Sequence, residues 1–216
     1  MQLEFLIKEP SSSVKAPLLI LLHGYGSNEQ DLFSFGSELP DNYRIISLRA
    51  PYNLGMHNSF AWYAINFDAD QNKFSDTDQA KSSMELLNKT VVELQEKYGN
   101  HAEDTALIGF SQGCILSMAF ALNYPKLVNN IVGLSGYLIP DLLPTQDGDY
   151  SNLHIYNSHG TMDGVIPLSW AQKTEDYMKK HHIDYIFETY AVGHGVHPQN
   201  FYSFKAWLET HLDTNL

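Results

Sequence analysis

The 216-residue chain holds a single cysteine, Cys114, so no internal disulfide can form and the core must be built without covalent cross-links. Basic residues are also scarce: 13 Lys and Arg stand against 25 Asp and Glu, a formal charge of −12. A surface of that sign repels phosphate backbones and anionic lipid headgroups, which argues against nucleic-acid binding and membrane recruitment. No run approaches the about 18 consecutive apolar residues of a membrane span, and stable membrane insertion is not expected. The opening residues lack the basic start and long apolar stretch of a secretion signal, which together with the lone cysteine points to a cytoplasmic protein. H-E-x-x-H and comparable ligand spacings are missing, so a histidine-based metal hydrolase is disfavoured.

What is present is a globular chain. A hydrophobic content of 44% in 216 residues predicts one compact domain over residues 1–216 with a substantial core. Residues 2–9 read as an edge strand. Residues 17–22 are too uniformly apolar for a half-exposed strand and suit the centre of a parallel sheet covered on both faces. A short helix is expected over 28–39, a strand over 43–48, and a long aromatic loop over 52–78 of the kind that lines a pocket. Residues 79–98 carry Met84, Leu87, Val91, Leu94 and Tyr98 at helical spacing, with Gly99 as the stop. Strands over 106–108, 131–134, 153–158 and 185–190 alternate with helices over 112–123, 167–182 and 199–212. The alternation predicts an α/β fold with a mainly parallel sheet.

Chemistry concentrates in the residues that follow these strands. Gly109-Phe110-Ser111-Gln112-Gly113 is G-x-S-x-G in a strand–turn–helix context, where the glycines clear space for a serine on a strained turn. The pentapeptide alone is weak evidence, since glycine and serine content alone produce one by chance roughly 7% of the time. Chain order strengthens it: Ser111, then Asp163, then His194, each in a loop after a strand, follow the order of α/β-hydrolase triads. A serine hydroxyl needs a base to become a nucleophile, His194 can take and return that proton, and Asp163 can fix the imidazole tautomer. Backbone N–H groups of Gln112, at a helix start, and of Tyr25, in His23-Gly24-Tyr25-Gly26, are the candidate oxyanion donors. His197 precedes Pro198 and is read as helix entry, His23 and His159 as structural, and Cys114 as a small core residue.

The stretches Leu-Leu-His-Gly-Tyr-Gly-Ser-Asn-Glu-Gln-Asp-Leu, Arg-Ala-Pro, Gly-Phe-Ser-Gln-Gly, His-Gly-Thr-Met-Asp-Gly-Val-Ile-Pro and Gly-His-Gly-Val resemble the phospholipase/carboxylesterase family of α/β-hydrolases. The resemblance spans nearly the whole chain. It implies a serine hydrolase without a large lid domain and without metal or other cofactor, with Ser111, Asp163 and His194 as the triad. It implies substrate-binding positions at Trp62, Val165 and Ile166 and a small-molecule acyl ester as substrate. An exposed apolar rim around such a site could support a homodimer. Tyr25 stands where the family's thioesterases tend to carry leucine, and Cys114 where a glycine is usual. The bulkier Tyr25 would narrow the acyl entrance, which favours small to medium acyl esters over the long chains of lysophospholipids or acylated proteins. A catalytically silent binding protein on the same fold is the alternative from another class.

Overall fold

In the computed structural model of the protein, residues 3–11, 15–55, 58–67 and 73–212 are described. The framework is a seven-stranded sheet in the order β1-β3-β2-β8-β9-β10-β11. In chain order its strands are β1 (Phe5–Lys8), β2 (Leu18–Leu22), β3 (Arg44–Leu48), β8 (Thr105–Phe110), β9 (Asn130–Leu134), β10 (His154–Gly160) and β11 (Asp184–Tyr190). Only β1 runs antiparallel, pairing with β3 at the edge; every other pairing is parallel. The mainly parallel sheet anticipated from the sequence is therefore present.

The uniform hydrophobicity of β2 has a direct structural reason. It lies between β3 and β8, and all five of its side chains are buried. Leu18, Ile20 and Leu22 pack on one face with Leu107, Met84, Leu87 and Phe120. Leu19 and Leu21 pack on the other face with Ile108, Phe204 and Leu208. Each fully buried leucine contributes about 1.5–3 kcal/mol, so a polar residue at any position of β2 is excluded. One face is covered by α2 (Thr77–Tyr98), α3 (Gln112–Asn123) and α4 (Leu168–Lys180), the other by α1 (Gln30–Phe33) and α5 (Pro198–Leu212).

Helix α2 begins where Asp76 accepts a hydrogen bond from the backbone N–H of Gln79 at 3.0 Å, and it stops at Gly99 in the left-handed region. Two expectations need correction. The helix expected over 28–39 is only one α-helical turn, α1, continued by a 3-10 turn over Ser34–Ser37. The loop expected over 52–78 contains two short antiparallel ribbons, β4 (Tyr52–Asn53) with β5 (Phe60–Ala61) and β6 (Ile65–Phe67) with β7 (Lys73–Ser75). Pairs of two or three residues carry too little periodicity to be seen in sequence. The parts of that loop at 56–57 and 68–72 lie outside the described residues.

Candidate active site

Ser111 sits between β8 and α3 with φ 53° and ψ −114°, a backbone conformation that costs of order 1–3 kcal/mol and lifts the side chain above the sheet. The flanking glycines explain how so tight a turn fits. A Cβ on Gly109 would lie 2.3 Å from the carbonyl oxygen of Gly113, and one on Gly113 would lie 2.1 Å from that of Leu22. The turn is pinned by the Ser111 N–H, which donates to Leu134 O at 2.8 Å.

The three candidate residues meet in series at the carboxyl ends of the strands. Ser111 Oγ lies 2.9 Å from His194 Nε2, and His194 Nδ1 lies 2.7 Å from Asp163 Oδ2. The Asp163 side chain is fully buried, and burial alone would raise its carboxyl pKa. The hydrogen bond from His194 and those from the Ile166 and Val165 N–H groups outweigh that effect and hold it below the ordinary value. An ionised carboxylate accepts only, so Nδ1 carries the proton and Nε2 is free to accept from the serine hydroxyl. The loop bearing His194 lies directly against Gly160, where a Cβ would meet the Gly193 carbonyl oxygen at 2.2 Å.

Beside these groups lies a cavity of about 240 Å³, lined by Ser111, Gln112 and His194 together with Tyr25, Ile115, Tyr137, Val165, Ile166 and Trp170. Val165, Ile166, Tyr25 and Gln112, all expected near the substrate or the oxyanion, stand at its wall. Trp62 does not. It is fully buried, and its indole N–H donates to His23 O at 2.9 Å. Its neighbour Tyr63 lines the cavity instead. The Gln112 side chain holds this segment in place, accepting from the Trp62 N–H at 2.8 Å and donating to Tyr63 O at 2.8 Å. Sequence reasoning gave Gln112 only a backbone role. It also missed Ile115, although one helical turn beyond Ser111 is a position that faces the same way.

Among the described residues, two further histidines are buried. His23 donates from Nδ1 to Gly24 O at 2.7 Å and accepts at Nε2 from the Ala50 N–H at 3.0 Å. His159 places Nε2 2.9 Å from Ile166 O and 3.3 Å from Asp163 Oδ2, making it a second ring against the candidate acid. Cys114 is buried beneath the elbow, and burial pushes its thiol up, away from thiolate chemistry.

A parallel sheet between two helical layers, with a serine on a strand–helix elbow and a histidine and an aspartate on later loops, defines the α/β-hydrolase class. Within it, the chain belongs to the phospholipase/carboxylesterase family, whose model matches residues 4–212. It is 28% identical over 149 residues to an acyl-protein thioesterase 1 from Kluyveromyces lactis, an alignment spanning 67% of this chain and 64% of that protein. The chain thus covers just under two thirds of that relative's length. Esterase YpfH of Escherichia coli is 26% identical over 175 residues, spanning 80% of this chain and 72% of that one. The crystal structure of esterase PE8 superposes with a TM-score of 0.87 at 23% identity, covering 98% of this chain and all of the other, a likeness of fold.

Proposed function

We propose that the protein is a serine carboxylesterase for small to medium acyl esters, acting through an acyl-enzyme on Ser111. The observation that carries this reading is the hydrogen-bonded series from Ser111 Oγ through His194 to Asp163, at 2.9 and 2.7 Å, opening on a cavity of about 240 Å³. His194 takes the hydroxyl proton as Oγ attacks the acyl carbon and returns it to the leaving alcohol; a water molecule then repeats the sequence to release the acid. The backbone N–H groups of Gln112 and Tyr25 receive the developing oxyanion, each worth about 3–4 kcal/mol of barrier lowering. Val165 and Ile166 border the acyl group, and Trp62 acts at one remove by anchoring the segment that bears Tyr63.

A second reading is hydrolysis of long-chain lysophospholipids or acyl-protein thioesters, and one observation favours it. A larger cavity of about 830 Å³ shares Ser75, Tyr137 and Trp170 with the catalytic one. The two readings separate on a series of activated acyl esters from butanoyl to hexadecanoyl. A kcat/KM that peaks at four to eight carbons supports the first. A rise to sixteen carbons supports the second, and no turnover together with no labelling by a fluorophosphonate refutes both.

A further inference from the structure

At the opposite end of the sheet from Ser111, three metal-ligating side chains converge on the surface. His154 opens β10, Asp184 opens β11, and the two are direct register partners in the parallel pair. His211 reaches them from the last turn of α5. One ring nitrogen from each histidine and one carboxylate oxygen all lie within 4.8 Å of one another. We propose that His154, Asp184 and His211 form a binding site for a zinc-class divalent cation, independent of the ester-hydrolysing centre.

The arrangement has the features that make imidazoles into ligands. His211 Nδ1 donates to the Trp207 carbonyl oxygen at 2.7 Å, which leaves the lone pair on Nε2. Metal-bound histidines almost always donate from the far ring nitrogen to such a carbonyl or carboxylate oxygen. The same ring is stacked on the Trp207 indole at 4.1 Å and 28°, which restricts its orientation before any ion arrives. The His154 and His211 ring centroids are 5.1 Å apart. His154 Nδ1 and Asp184 Oδ2 share a proton at 2.8 Å, and a cation replacing that proton bridges the same two atoms while the proton leaves to solvent.

Metal–ligand bonds of 2.0–2.2 Å in a tetrahedral site put ligand atoms roughly 3.3 Å apart. From separations within 4.8 Å, His211 therefore closes by at most about 1.5 Å, and the His154–Asp184 pair opens slightly from 2.8 Å. Asp184 is exposed and His154 about a third exposed, so small side-chain rotations achieve both. Two imidazoles and one carboxylate select zinc, cobalt, nickel or copper over magnesium and calcium, and a water would fill the fourth position. The chain's charge of −12 raises cation concentration near the surface. Such spacing escapes motif reading, because 30 and 27 residues separate the ligands and only the strand register and helix docking unite them. Seven residues of β10 separate this end from the catalytic end, about 20 Å, too far for a bound ion to touch the reacting atoms.

The test is calorimetric titration of the chelator-treated full-length protein with zinc chloride, and with cobalt as a spectroscopic stand-in. One ion per chain is expected, with a tetrahedral cobalt spectrum. Each of His154→Ala, Asp184→Ala and His211→Ala should weaken binding at least about tenfold. Zinc at 100 times its Kd should raise Tm by about 5–10 °C in the parent protein and not in the His211→Ala variant. Absence of saturable zinc binding, binding that survives any one of the three substitutions, or equal affinity for magnesium overturns the proposal.

Discussion

At the scale of single residues, the site is a chain of donors and acceptors in which each side chain dictates the state of the next. Asp163 accepts two backbone N–H groups at 2.8 and 2.9 Å on Oδ1 and the His194 ring on Oδ2, so it stays charged and orients the imidazole. Ser111→Ala should therefore cut kcat by about 10⁴-fold or more and abolish fluorophosphonate labelling, while leaving Tm near that of the parent. His159 stands against the same carboxylate: its Nε2–H is shared between Ile166 O and Asp163 Oδ2. His159→Gln can keep a donor near Nε2 and should retain most activity, whereas His159→Leu removes it. The leucine variant should lose about 1.5–3 kcal/mol of transition-state stabilisation, read as kcat with KM little changed. Ser111, Asp163 and His194 were legible in sequence because each follows a recognisable strand. The role of His159 was not, because its distance to Asp163 is set by the turn between them.

At the scale of elements, the elbow and its packing decide what the sequence can tolerate. Helix α3 approaches β2 so closely that Gly113→Ala drives a methyl group into the Leu22 carbonyl oxygen, 2.1 Å away, where backbone must shift. Destabilisation of about 1–3 kcal/mol or more is expected, checked by denaturant unfolding of the variant beside Gly195→Ala, which meets no heavy atom within 4 Å. His23 links the end of β2 to the chain after β3 through Gly24 and Ala50, and burial pushes its pKa below the ordinary 6.5. The folded state thus resists a proton that the unfolded chain accepts near that value. The His23 contribution is full above pH 6.5 and declines as pH falls below it. Glu29, held down by its hydrogen bonds from Arg49, behaves differently: its contribution persists above the ordinary 4.5 and is lost only as pH falls through the lower folded value. Tm measured from pH 8 to 5 should fall in the parent protein and fall less steeply in His23→Gln.

At the scale of the whole molecule, two cavities meet at one aromatic pair. Tyr137 and Trp170 stand edge to face at 5.0 Å and line both the cavity beside Ser111 and its larger neighbour. Trp170→Ala should open the one into the other and raise the hexadecanoyl-to-butanoyl ratio of kcat/KM several-fold, with butanoyl turnover itself little changed. Among the described residues no helix is long and apolar enough to cross a membrane, in keeping with the short apolar runs of the sequence. The chain by itself determined the α/β alternation, the buried centre strand and the serine elbow. These depend on periodicity, uniform hydrophobicity and paired glycines, all local properties of neighbouring residues. Only the tertiary structure decided that Trp62 supports the site from behind while Tyr63 faces it, that Gln112 clamps both, and that His154, Asp184 and His211 share one surface. Those relations join segments tens of residues apart, and strand register and helix docking, which no local pattern encodes, set the distances between them.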